Sequence, residues 1–220
     1  MQLNTVIFDM DGLLINSEPL WGEAAHEIFG RYNFQLTKAQ YATTTGMRTK
    51  EFVEWWFNYY KIDAKYNAEA ENAILQNVVE KVAVKGKPLP GVEHIFNFFI
   101  ARNFKIGLAT SSGQPLIDVV IDKMGIRNYL QSIESAADLP YGKPHPQVYL
   151  NCAAALNSHP TQCICFEDSF NGLIAAKAAR MKCVVVPAAH QQQHPRWAAA
   201  DLKLSSLQNF NGLLLESLEK

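Results

Sequence analysis

Two carboxylates, Asp9 and Asp11, end an unbroken apolar run, Val6-Ile7-Phe8, and Gly12 follows them. In extended backbone their side chains lean to the same side, and the glycine lets the chain turn away. Acids this close repel unless a cation lies between them, and oxygen ligands suit a hard ion such as Mg²⁺. The same residues also suit a strand followed by a solvated acidic turn, and D-x-D-G alone does not choose between the two.

Three later stretches carry complementary chemistry. Thr110-Ser111-Ser112-Gly113 offers hydroxyls and free backbone N–H groups ahead of a helix, where the partial positive charge favours a phosphate. Those residues would equally serve as an ordinary helix cap. Lys143 lies in Tyr141-Gly142-Lys143-Pro144-His145-Pro146, a stiff setting that suits a fixed cationic contact. Its alternative is the solvent-exposed position most lysines take. Glu167-Asp168-Ser169 ends a further apolar run. Asp168 either caps the next helix or joins Asp9 and Asp11. Clustered carboxylates without a cation are strongly unfavourable, so a cluster there calls for a divalent metal. Acids on a metal, hydroxyl and N–H donors and one lysine together make a phosphoryl-transfer site.

The pattern around these residues predicts how they are positioned. A strand is expected over 3–9, then helices from about Ser17, near 37–43, at 48–60 and at 67–84, the last capped by Asn67. Gly86-Lys87-Pro88-Leu89-Pro90-Gly91 breaks this helical tract. Beyond it, strands at 105–110, 133–135, 163–167, 182–186 and near 202–204 alternate with helices at 92–102, 114–124, 146–156 and 170–180. Pro146 suits the first turn of its helix. Alternation implies βαβ units and a parallel sheet, hence an α/β fold with a Rossmann-like core. Ligands of such sheets collect beyond the carboxyl ends of the strands, where all four stretches fall. The helical tract interrupts this core after its first strand and would form a lid that excludes water.

Composition narrows the function classes. The chain has 220 residues and a formal charge of −1, which gives no general attraction to nucleic acid or anionic membrane. It carries no run apolar and long enough to span a bilayer and no basic secretory leader. Its four cysteines do not make a disulfide framework, so a reduced, cytoplasmic setting is expected; a monomer is expected by default, since no residue pattern speaks to oligomeric state. His190 and His194 have helical spacing, but no glutamate accompanies them and Pro195 follows, so they read as a surface loop. Cys163 and Cys165 read as small buried hydrophobes.

In order, Asp9-Met10-Asp11-Gly12, Thr110-Ser111-Ser112, Lys143-Pro144 and Glu167-Asp168-Ser169 resemble the four motifs of the haloacid dehalogenase-like phosphatase superfamily. The resemblance covers nearly the whole chain, and the helical insert is similar to that superfamily's type 1 cap. It implies a catalytic core of residues 1–15 and 86–220 and an all-α cap of residues 16–85. It implies that Asp9 is the nucleophile and Asp11 the proton carrier in hydrolysis of a small phosphate ester, such as a hexitol or 2-deoxyhexose phosphate. Mg²⁺ would sit on Asp9, the Asp11 carbonyl and Asp168, with Glu167 assisting directly or through water. Thr110, Ser111 and Lys143 would hold the phosphoryl oxygens. Arg48, in the cap loop Gly46-Met47-Arg48, and Glu18 would meet the substrate. Trp21 reads as cap core or a polyol contact, and Trp55-Trp56-Tyr59-Tyr60 as bundle core or a sugar platform. Asn16 departs from the aspartate that relatives carry before Ser-Glu, near the cap hinge.

Two rival readings share these features. A β-phosphoglucomutase-like enzyme has the same site and returns the phosphoryl group to the sugar. A phospho-accepting receiver module combines acids, Thr and Lys, but is about half this length and has no cap.

Overall fold

A computed structural model describes residues 2–220. Six strands form one parallel sheet: β1 (Thr5–Phe8), β2 (Lys105–Thr110), β3 (Ser132–Ser135), β4 (Cys163–Glu167), β5 (Lys182–Val185) and β6 (Leu202–Lys203). Their spatial order is β3-β2-β1-β4-β5-β6, the doubly wound order in which β1 and its neighbours flank the topological switch point. β1 is buried along its whole length because helices cover both faces. Val6, Phe8, Ile106, Leu108, Ile164 and Phe166 face one core layer. Ile7, Ala109, Cys163, Cys165 and Cys183 face the other, as the two-residue period of a strand requires. Phe8 stacks on Phe96 at 5.0 Å and meets Phe166 at 5.3 Å.

Four helices follow β1: α1 (Glu18–Gly30), α2 (Lys38–Thr43), α3 (Thr49–Tyr60) and α4 (Asn67–Lys85). The core helices are α5 (Val92–Ile100), α6 (Gln114–Met124), α7 (Gln147–Ala155), α8 (Phe170–Ala178) and α9 (Gly212–Glu219). The two passages between bundle and core run side by side. Leu89 N–H donates to Leu14 O and Asn16 N–H to Lys87 O, both at 2.9 Å. Asn16 uses only its backbone there and its side chain is exposed.

Several local expectations are corrected. Asn67 does not cap α4: a 3₁₀ turn at Ala64–Tyr66 runs straight into the helix, so the chain never leaves helical geometry there. Pro146 occupies the position just before α7. The cap of α8 is Ser169, whose hydroxyl accepts from Gly172 N–H at 3.0 Å, which leaves Asp168 free. Gly113 precedes α6 without a side-chain cap, so the hydroxyls before it are free of that task. α9 lies outside the expected helices; its eight residues, half of them leucine, are too short a run for a helical period to stand out, and Asn211 caps it. His190 lies in an exposed 3₁₀ turn and the exposed His194 caps the next one, accepting from Arg196 N–H; Cys163 and Cys165 are buried.

Candidate active site

The parallel register builds the site. Phe8 pairs with Leu108 on one side and Phe166 on the other, so Asp9, Ala109 and Glu167 stand level at the carboxyl ends of three adjacent strands. Lys143, only 2% exposed, comes in from the loop before α7 and ties all three together. Its ammonium donates to Asp9 Oδ1 and Glu167 Oε1, each at 2.6 Å, and to Ala109 O at 3.0 Å. Burial alone would lower the Lys143 pKa, but Asp9 and Glu167 outweigh it and raise it. The ammonium form is therefore fixed.

Glu167 is fully engaged. Its Oε1 also accepts from Tyr149 OH at 2.5 Å, and its Oε2 from Ser169 N–H at 3.2 Å and Ser169 Oγ at 3.0 Å. Asp168, buried beside it, accepts no hydrogen bond from any described side chain. Burial first, then the charges of Asp9, Glu18 and Glu167, push the Asp168 carboxyl well above its ordinary value. Burial does the same to Asp9, against the pull of Lys143. Carboxylate oxygens of Asp9, Glu167 and Asp168 lie within 4.8 Å of one another, a spacing and donor set that fit a hard divalent cation. Gly12 completes the cradle: at φ +75°, a Cβ there would lie 2.0 Å from Asp168 Oδ2.

Asp11 is held by three donors. Its Oδ1 accepts from Ser17 Oγ at 2.6 Å and Trp21 Nε1 at 3.0 Å, and its Oδ2 from Ser112 Oγ at 2.7 Å. Trp21 is thus part of the site, although its place in a helical apolar pattern does not reveal that. A cleft between core and bundle is lined by Asp9, Asp11, Glu18, Trp21, Tyr41 and Thr110, together with Ser111, Ser112 and Asp168. Thr44, Thr45, Met47 and Thr49 close it from the bundle side. Glu18 is raised to about 7, by burial first and then by the charge of Asp11.

The structure thus brings Asp9, Asp11, Glu18, Thr110, Ser111 and Asp168 around one cleft and sets Lys143 and Glu167 behind Asp9. Ser111 Oγ donates to Gly46 O at 2.9 Å, and Thr110 Oγ1 accepts from Ser112 N–H at 3.1 Å. Arg48 is not among the cleft residues: its guanidinium lies against the loop after β3, because backbone carbonyls there offer it a buried set of acceptors. Of the α3 aromatics, Trp56 is core and donates to Thr44 Oγ1 at 3.1 Å, whereas Trp55 and Tyr59 are exposed. Sequence reasoning missed Tyr149 and Ser17, and it offered Ser112 as a phosphate donor and not as a partner of Asp11.

Comparisons with known proteins agree with this geometry. Residues 6–186 match the family model described as haloacid dehalogenase-like hydrolase. The chain is 38% identical over 207 residues to hexitol phosphatase B of Escherichia coli (strain K12), covering 94% of this chain and 93% of that protein. The fold is similar to that of CbbY from Rhodobacter sphaeroides in complex with phosphate, with a TM-score of 0.87 at 24% identity over the whole of both chains. It is equally similar to β-phosphoglucomutase from Clostridium difficile, with a TM-score of 0.87 at 21% identity over 99% of this chain and 98% of that one. With its doubly wound sheet, its acids at the switch point and these relatives, the chain belongs to the haloacid dehalogenase-like hydrolases and is one of their phosphatases.

Proposed function

We propose that the protein hydrolyses small sugar or sugar-alcohol phosphates in a Mg²⁺-dependent reaction through an aspartyl-phosphate on Asp9. The observation that carries this reading is the pairing of Asp9 with a buried, permanently charged Lys143. One carboxylate oxygen of Asp9 is held by the ammonium, and the other is left to attack phosphorus. That attack forms the Asp9 oxygen–phosphorus bond and breaks the bond from phosphorus to the sugar oxygen. Asp11 gives its proton to the departing alkoxide and later takes one from the water that hydrolyses the acyl phosphate, a role typically contributing about 10²–10⁴-fold. Ser17, Trp21 and Ser112 hold Asp11 for this task. Thr110 and Ser111 bind the non-bridging oxygens, and Lys143, its three N–H groups taken by Asp9, Ala109 and Glu167, offsets their charge from behind Asp9.

Asp9, Asp168 and the Asp11 carbonyl would hold Mg²⁺, which supplies charge to offset that of the transferring group. Glu167, with both oxygens taken by protein donors, serves chiefly to anchor Lys143. Residues 16–85 act as the cap, and residues 1–15 and 86–220 as the core. Glu18, Trp21, Tyr41 and the cleft threonines present the carboxylate, ring and hydroxyl groups that suit a polyol. The relative named hexitol phosphatase B supports a hexitol phosphate, with 2-deoxyglucose 6-phosphate a further candidate. A net charge of −1 supports neither nucleic acid nor membrane as a partner, and no helix among the described residues is long and apolar enough to cross a membrane. We place the protein in the cytoplasm as a monomer.

The test is a panel of phosphate esters with Mg²⁺, followed by released phosphate and by isomerised sugar phosphate. Release from hexitol and hexose phosphates is expected. Isomerisation without free phosphate would establish the mutase reading instead. Asp9→Asn should abolish release while the protein stays folded, and near-normal turnover would overturn the nucleophile assignment.

A further inference from the structure

Arg48 crosses from the N-terminus of α3 to the core. Its Nη1 donates to Ala136 O at 3.2 Å, to Ala137 O at 3.4 Å and, closest, to Leu139 O. Its Nη2 donates to Pro140 O at 3.4 Å and to Glu51 Oε1 at 2.5 Å. Glu51 in turn accepts the N–H of Gly142 at 3.3 Å. Two side chains of the bundle therefore hold a core loop from Ala136 to Gly142, and the next residue is Lys143. The loop starts anchored to β2 by Ala136 N–H to Thr110 O at 2.8 Å, but its further backbone bonds are short-range: Leu139 N–H to Ala136 O at 3.2 Å and His145 N–H to Gly142 O at 2.9 Å.

An exposed Arg–Glu pair on one helix would contribute only about 0.2–1 kcal/mol. Here Arg48 is buried and Glu51 half-buried, and the guanidinium spends its other donors on carbonyls of a different element, where charge-assisted bonds are stronger and fix direction. The fit is close. A Cβ at Gly142 would lie 2.7 Å from Arg48 Nε, 2.8 Å from Arg48 Cγ and 2.8 Å from Glu51 Oε2. The bundle also rests on the core through Ser111 Oγ to Gly46 O at 2.9 Å and Asn171 Nδ2 to Thr45 O at 3.0 Å, but those contacts do not touch the lysine loop.

We propose that Arg48 and Glu51 are positioning residues that make the placement of Lys143 depend on the cap being seated on the core. With the cap seated, the carbonyls of 136–140 and the N–H of 142 are gripped, and the ammonium stays on Asp9. With the cap lifted, residues 137–142 lose the grip of Arg48 and Glu51, and Lys143 is left with only its own bonds to Asp9, Ala109 and Glu167 to hold it. The active-site charge is then assembled only around an enclosed substrate, which disfavours attack while water has access. This inference rests on the phosphatase reading above.

Kinetics on the best ester of the panel, with Mg²⁺, test it in a double-mutant cycle. Arg48→Ala should lower kcat/KM by about tenfold or more, because a small misplacement of a catalytic group is costly. In a Lys143→Ala background, assayed with enzyme in excess, the same change should cost less than about threefold, since its effect acts through the missing lysine. Gly142→Ala perturbs the contact from the core side while removing no polar group. It should reproduce the loss, also non-additively with Arg48→Ala, and it decides the matter if Arg48→Ala does not fold. Losses that multiply independently of Lys143 would overturn the coupling and assign Arg48 to the substrate or to cap stability alone. A wild-type protein that releases no phosphate overturns the phosphatase reading itself, whereas independent losses in an active enzyme overturn only the coupling.

Discussion

Lys143 and Glu167 show how one buried ion pair is kept from being a liability. Removing charges from water is costly, and a buried pair is sustained only when its remaining hydrogen-bonding capacity is met. Here Asp9, Ala109, Tyr149 and Ser169 meet it. Glu18 is a different case, because its carboxyl is buried without a cation and lies near Asp11. Its pKa rises from the ordinary 4.5 to about 7. The folded state thus holds this proton more tightly than the unfolded chain. The stability it contributes is present in full below about pH 4.5 and is lost as pH rises toward 7. Urea denaturation of metal-free protein should show a midpoint falling across that window, and Glu18→Gln should flatten the fall. An unchanged slope in the variant would assign the titration elsewhere.

At the scale of elements, the turn from β4 into α8 does most of the assembly. Ser169 caps the helix and also holds Glu167, so one residue ends the strand's carboxylate and starts the helix. The helix comes so close that a Cβ on Gly172 would lie 1.8 Å from Glu167 Oε1. Lys143 and Tyr149 pin that carboxylate, so it cannot yield. Gly172→Ala should cost at least about 1–3 kcal/mol, read as a lowered urea midpoint, and a midpoint equal to wild type would show that the turn can shift. The paired passages at Leu14–Asn16 and Lys87–Leu89 are the other decisive element. They are the backbone connection about which a cap of residues 16–85 would move.

For the molecule as a whole, the acid cluster is a site of stored repulsion that a cation relieves. A ligand that binds only the folded state stabilises it by mass action, by about 2.7 kcal/mol at a hundred times its Kd. Mg²⁺ should therefore raise the thermal midpoint of the wild-type protein relative to EDTA-treated protein, and Asp168→Asn should lose most of that rise. An equal rise in both proteins would move the ion away from Asp168. The contacts of Gly46, Thr45 and Arg48 with the core describe a seated cap over the cleft. Under the proposed cap role, substrate entry would open those contacts and so tie cap motion to the electrostatics of the site.

The sequence by itself determined the order of strands and helices, the helical insert after β1, and the strand ends that carry Asp9, Asp11, Thr110 and Asp168. These rest on short-range signals: apolar runs, glycine and proline breaks, and the rule that ligands gather beyond strand ends. Only the tertiary structure decided that Trp21 reaches Asp11, that Tyr149 and Lys143 take up Glu167, and that Arg48 grips Leu139, 91 residues away in the chain. A side chain's type states what it can bond, but its partner is set by which distant backbone is packed beside it. Trp21, Tyr149 and Arg48 each fit a helix equally well facing core, cleft or solvent, so helical spacing could not assign them.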